Sequence, residues 1–433
     1  KNGEKIDATI KEIKNGKIRL ENSSQGEYYT MEIEKRDVEY ILFKPVVNQE
    51  STDIEEKLRK KFPDMQFYNE GNITIVTDSY ITWVKEYKKH IRYTNTQIYL
   101  KFFPLLKNRK PSLQNYIVIF DSYKDFVYHA VEQGIPGWLV MGYYNTDEKT
   151  TYLFNVLGEN FSKEMYDLFI GTTGKVLDRQ ANSIKKSYGR DKKVEIIVDG
   201  YIDNIKDKIW RIYNRILSNY RNLTITTLRH EFTHSFFSNW SLQNIKISKS
   251  ERKQRLKQKI KEFFSDKSRE SKKQWLEDLF TLGEKGENFD LKASNSWIVE
   301  GVATYCETYP IGTKNSQWLY IFQQMIEKDE VYPLEVLTFY KIGSFPGMCY
   351  EAMIKAYAQS WAFTTFLLDK YPDELLQYME RSATERVKND NEELSLFLEC
   401  MKKNPKELNE ELVSYIKENY EKIENPMVEQ VIF

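Results

Sequence analysis

The chain has 433 residues with 64 basic and 64 acidic side chains, so its formal net charge is zero. That balance argues against a protein that is basic throughout and binds nucleic acid or a membrane surface along its length. Hydrophobic residues at 41% and aromatics at 14% rule out disorder as the main state, and three cysteines (Cys306, Cys349, Cys400) exclude a disulfide framework.

Taken in order, residues 1–45 read as a small β-barrel of the SH3 or Sm kind. Ile6–Ile13 alternates, Asn15-Gly16 is a type I′ hairpin signal, and Lys17–Leu20, Glu27–Ile33 and Val38–Phe43 follow as short strands. Lys44 to Asp53 reads as a linker. Residues 54–200 read as the α/β upper part of a second domain. Ile73–Val76, Tyr116–Phe120, Thr151–Phe154 and Val194–Val198 are its expected strands. The stretch from Tyr80 to Lys101 is expected as a helix with Ile81, Val84, Tyr87, Ile91 and Tyr99 inward, and Ser122 is expected to cap a helix to Val131. Residues 201–372 read as a helical half with a charged insertion at about 241–292, and 373–433 as a C-terminal helical region. The expected fold class is therefore α+β. Lys249 to Lys273 carries eleven basic and four acidic residues, which reads as a solvated helix face rather than a nucleic-acid site.

No run approaches the ~20 apolar residues of a membrane-spanning helix. The first residue is Lys1 rather than Met, which leaves room for a cleaved secretory or lipoprotein leader and an extracytoplasmic location.

Only four histidines are present, His90, His129, His230 and His234, and the last two fall in His230-Glu231-Phe-Thr-His234. Residues four apart share one helix face, so both imidazoles can reach one ion, and Glu231 can reach a water beside it as general base. Leu228, Phe232, Phe236 and Trp240 recur every four residues as the apolar stripe of that helix, with Thr224 as its expected N-cap. The candidate third ligand is Glu300 in Ser296-Trp-Ile-Val-Glu300-Gly301-Val-Ala303, where Trp297, Ile298 and Val302 are expected to bury and Gly301 to allow close approach to the metal helix. A buried carboxylate among such neighbours is costly unless it is paired or bound to an ion. His129 reads as a packing or helix-surface residue.

His230-Glu231-x-x-His234 with Trp297-x-x-Glu300-Gly301-x-Ala303 resembles the gluzincin zinc peptidases, and more closely an uncharacterised bacterial family of the peptidase MA group, over roughly residues 70–370. Phe120-Asp-Ser-Tyr-Lys-Asp-Phe126, Gly142-Tyr-Tyr and Tyr357-Ala-Gln-Ser-Trp361-Ala-Phe belong to the likeness. The resemblance implies a zincin-like catalytic domain and a zinc-dependent metallopeptidase acting on a peptide or protein. Its single Zn2+ would be held by His230, His234 and Glu300, with Glu231 as base. It also implies a tyrosine on a later helix as oxyanion donor, Tyr357 in first place and Tyr350 in second. The Gly-x-Met-Glu-Asn exopeptidase motif is absent, which favours an endopeptidase. Thr304 stands where many gluzincins carry an acidic residue, so a ligand histidine must be oriented by Thr304, Glu307 or a backbone carbonyl. Thr151–Phe154 is the expected substrate-binding edge strand. The alternative reading is a non-catalytic metal-binding scaffold or interaction protein built on a peptidase fold.

Overall fold

The computed structural model describes residues 6–24, 27–133, 140–156, 173–187, 192–240, 296–339, 350–385 and 390–423, with Ile135, Gly171 and Leu242. The insertion at 241–292, with its basic stretch from Lys249, lies outside the described residues apart from Leu242.

β1 (Thr9–Lys14), β2 (Lys17–Ser24) and β3 (Glu27–Glu34) form an antiparallel sheet in the order β1-β2-β3. Asn15 and Gly16 both have positive φ, 51° and 74°, as the Asn-Gly pair requires. Ile18 and Leu20 bury against Leu100. The expected barrel is not there: among the described residues the sheet stays open at three strands, and Val38–Phe43 is not one of them. The reason lies in its backbone partners. The Ile41 N–H donates to Thr96 Oγ1 at 2.7 Å and the Ile41 carbonyl accepts from Asn95 Nδ2 at 2.7 Å, so helix side chains satisfy groups that a strand would use in a ladder.

α1 (Gln49–Lys61) begins inside the stretch expected as a linker. Asn48 caps it, its side chain accepting from the Ser51 N–H at 2.8 Å, and Ile54 and Leu58 turn inward. The second sheet has five strands: β4 (Gln66–Glu70), β5 (Ile73–Thr77), β6 (Asn115–Phe120), β7 (Gly142–Asn145) and β8 (Thr150–Phe154). The order is β4-β5-β6-β8-β7, with β5, β6 and β8 parallel and the two outer strands antiparallel to their neighbours. Thr151–Phe154 is thus not the edge expected of it. All of β8 is buried, as a strand covered on both faces must be, and the edge beside it is β7.

α2 (Ile81–Lys101), α3 (Phe103–Leu106) and α4 (Tyr123–Glu132) follow β5 and β6. Val84, Tyr87, Ile91 and Tyr99 of α2 are buried as expected, whereas Ile81, in its first turn, is exposed. Ser122 caps α4 by accepting from the Asp125 N–H. Pleating divides the sheet's side chains between two cores. Ile73, Ile75, Ile117, Ile119 and Leu153 face α2 and the helical half. Val76, Tyr116, Val118, Phe120, Tyr152 and Phe154 face α1 and α4.

The remainder is helical: α5 (Thr173–Ser187), α6 (Lys192–Asn239), α7 (Ser296–Cys306), α8 (Ser316–Glu327), α9 (Leu334–Phe339), α10 (Tyr350–Lys370), α11 (Pro372–Thr384), α12 (Asp390–Met401) and α13 (Pro405–Asn419). Two expectations fall to the length of α6. Val194–Val198 lies in its first two turns rather than in a strand, because a short apolar β-branched run has no period that separates strand from helix. Thr224 is an interior, buried residue rather than a cap, since no proline interrupts the preceding turns. Trp297 of α7 meets Phe363, Tyr378 and Phe397 and ties α7, α10, α11 and α12 into one core. Cys306 and Cys400 are buried free thiols.

His129 packs, as expected, at 5% exposure, with its ring 4.2 Å from that of Tyr152 and its Nδ1 2.8 Å from the Tyr143 hydroxyl. Burial, assisted by Lys61, pushes its pKa down from 6.5 to about 3. Between those values the unfolded chain binds a proton that the folded chain refuses, so stability falls as pH falls, by up to ~1.4 kcal/mol per pH unit. Urea midpoints at pH 7 and pH 5 should therefore differ more for the parent protein than for His129→Phe; equal differences would show that this site does not drive the acid sensitivity.

Candidate metal centre

The long helix α6 carries the centre on its last turns. Leu228, Phe232 and Phe236 are at most 1% exposed and Trp240, just past the helix end, is 2% exposed, so the apolar stripe read from the sequence anchors this end of α6 in the core. The adjacent face presents His230 and His234, whose Nε2 atoms lie 3.1 Å apart. Glu300 reaches in from α7, its Oε2 standing 3.1 Å from His230 Nε2 and 3.3 Å from His234 Nε2. The three residues expected as ligands thus meet, forming a group able to hold a metal ion, with all candidate ligand atoms within 4.8 Å of one another.

α7 is held by its apolar residues, since Trp297, Ile298 and Val302 are buried as expected. Gly301 works differently from its sequence reading. A methyl group there would overlap Thr364 Oγ1 and come within 2.6 Å of the Ser360 carbonyl oxygen, so the glycine lets α7 approach α10 rather than the metal helix.

His230 Nδ1–H donates to Glu307 Oε1 at 2.9 Å, which turns Nε2 toward Glu300 and His234. Of the three orienters considered from the sequence, Glu307 is the one in contact. Thr304 instead spends its hydroxyl on the Glu300 and Gly301 carbonyls within its own helix. The other Glu307 oxygen accepts from Asn315 Nδ2 at 3.0 Å and Trp318 Nε1 at 2.8 Å. Arg229 Nη1 donates to the Glu307 carbonyl at 2.9 Å.

Burial works against every charge here. It would raise the Glu300 carboxyl, but His234 and His230 override it and hold the group well below the usual carboxylate range. It would lower His230, but hydrogen bonds to the Glu300 and Glu307 carboxylates reverse that and raise the imidazole well above 6.5. Burial raises the Glu231 carboxyl, and the two imidazoles and the N–H of Tyr144 on strand β7 limit the rise. The Glu231 carbonyl also accepts from Thr151 Oγ1 at 3.4 Å, which joins this turn of α6 to β8.

Tyr357, on α10, stands at the centre: its ring lies 6.1 Å from that of His230 and its side chain stands beside Glu300. Burial, reinforced by the Glu300 and Glu231 charges, raises its pKa far above 10, so it remains an O–H donor. Tyr350 opens the same helix, and its side chain lies outside the described residues. Asn315, Trp318 and the Tyr144 N–H went unread. The first two had a signal, since Asn315-Ser-Gln-Trp318 is an N-cap pattern, with the Asn315 side chain accepting from the Trp318 N–H. No family model, curated protein or solved structure matches the chain.

Because His230 is held protonated near neutrality, an ion entering this group must displace a proton. Titrating Zn2+ into metal-free protein by calorimetry at pH 7 should release ~1 proton, read as heats that vary with the buffer's ionisation enthalpy, and the affinity should fall as pH falls. Buffer-independent heats would show that His230 carries no proton to displace at pH 7.

Proposed function

We propose that the chain is a zinc-dependent metallopeptidase of the gluzincin type, hydrolysing peptide bonds within peptide or protein substrates. The carrying observation is the triangle of donor atoms with sides of 3.1, 3.1 and 3.3 Å. Two imidazoles and a carboxylate at about 2.0–2.1 Å from a tetrahedral zinc ion would stand roughly 3.3–3.4 Å apart, so the donor set fits that ion in chemistry and in spacing. The neighbours left for chemistry are those that such a reaction needs.

When bound, the zinc ion supplies a Lewis acid and a position at which water becomes acidic. Glu231 lies beside that position on α6, with a carboxyl raised toward the range of a working base. It takes the proton from the attacking water and hands it to the leaving amine. Tyr357 keeps its proton and donates it as a hydrogen bond to the carbonyl oxygen as negative charge builds there. Glu307 holds the imidazole of His230 at the angle that its lone pair requires. The substrate backbone adds to β7, the edge strand, which has no strand on its outer side among the described residues and whose Tyr144 N–H touches Glu231. A strand-like seat for an extended chain favours internal cleavage, as does the missing exopeptidase motif.

The test is digestion of a diverse peptide library by zinc-loaded protein. Glu231→Gln should lower kcat by about a hundred- to ten-thousand-fold while zinc remains bound. Tyr357→Phe should lower kcat about a hundred-fold or more, with little change in zinc affinity. Zinc-loaded parent protein that cleaves nothing, or cleaves as well with Gln at 231, would defeat the reading and leave a non-catalytic metal-binding protein.

A further inference from the structure

Two features of the centre pass through one residue that belongs to neither metal motif. Glu307, which orients His230, is itself held at its second oxygen by the indole N–H of Trp318 at 2.8 Å. Tyr357, whose ring lies 6.1 Å from that of His230, has Trp318 stacked on it, with centroids 5.8 Å apart and planes 18° from parallel. Trp318 lies near the start of α8, where the side chain of Asn315 both caps the helix through the Trp318 N–H and donates to the same Glu307 oxygen. The first turn of α8 is thereby locked to the carboxylate that it supports. α8 also packs directly on α10, the helix of Tyr357.

We propose that Trp318 is a positioning residue of the metal centre. Its N–H fixes Glu307, and through it the angle of His230, while its ring fixes Tyr357. Resting on the metallopeptidase reading for its second arm only, this assigns to α8 the task of setting ligand geometry and oxyanion donor together. A carboxylate free to turn can offer its oxygens to several donors. Two donors on one oxygen leave the other in a single direction, toward His230 Nδ1. A phenol on a helix retains rotamer freedom, and a ring stacked against it removes that freedom without taking up its hydroxyl.

The two arms separate by substitution. Trp318→Phe keeps a ring over Tyr357 and removes the donor, whereas Trp318→Leu removes both. Zinc affinity, measured by competition with a chromophoric chelator, should fall about 5- to 10-fold in Trp318→Phe and about 10- to 100-fold in Glu307→Gln. The double variant should match Glu307→Gln alone, because Trp318 acts through that carboxylate. Gln317→Ala, an exposed neighbour on α8, should bind zinc like the parent. Parent-like affinity in Trp318→Phe, or losses that multiply in the double variant, would overturn the first arm. A merely structural role for Trp318 would produce such multiplied losses. The indole N–H resonance of Trp318, assigned by its disappearance in Trp318→Phe, should also shift in Glu307→Gln even without zinc. An unmoved resonance overturns the contact whether or not the protein binds metal. For the second arm, Trp318→Leu should lower kcat well below Trp318→Phe, and this difference should vanish in a Tyr357→Phe background; persistence there overturns it. Absent peptide cleavage in every form defeats the peptidase reading, while the affinity cycle and the indole resonance still decide the role of Trp318.

Discussion

A carboxylate buried between two imidazoles is the constraint on which the centre depends. Glu300, with 12% of its side chain exposed, sits in surroundings that penalise its charge and keeps that charge only because His230 and His234 face it. For that meeting to occur, α6 and α7 must be brought to one point from distant parts of the chain. The apolar stripe from Leu228 to Trp240 fixes one helix, and Trp297 with its aromatic neighbours fixes the other. Electrostatics and packing are thus coupled: each helix must be seated before the charges are compensated, and the compensated charges in turn penalise any slippage of the helices.

The five-stranded sheet serves this arrangement from the other side. Its central strands β6 and β8 are buried along their whole length, as strands covered on both faces are. The outer strand β7 is different, being half-buried at Tyr144 and Asn145, with the Tyr144 N–H on the side of Glu231. The same helix turn therefore meets an interior strand through Thr151 and an edge strand through Tyr144, which relates Glu231 to the rim of the sheet.

Much of the centre was legible in the sequence because its signals are local. His230, Glu231 and His234 are separated by helical spacing alone, and Glu300 lies among residues whose burial could be argued one by one. Glu307 was among three candidates, and only the fold distinguishes it, since whether Thr304 or Glu307 reaches His230 depends on where α7 ends. Asn315-Ser-Gln-Trp318 signals a helix start, but the contacts of Trp318 and Tyr144 at the centre were not legible, because they arise from elements that meet only in three dimensions. The misreadings have the same source. Val194–Val198 has a composition that suits strand and helix alike, and Thr151–Phe154 does not carry the identity of its neighbours. Gly301 was rightly read as a close approach but assigned to the wrong partner, because a missing side chain does not say what fills its place. The barrel expected at residues 1–45 failed on one segment, Val38–Phe43, whose hydrogen bonds are taken by α2.

The residues of the centre come from α6, α7, the turn after α7, α8 and α10. No segment of the chain holds a working set by itself. Two histidines one turn apart bind an ion weakly on an isolated helix, and every further contact waits for another helix to dock. Any ion affinity of this group would therefore gauge completed folding: an intermediate with α6 formed and α7 undocked lacks Glu300, and one with α8 undocked lacks the donors that hold Glu307. The last helices to settle decide when the group able to hold a metal ion is complete.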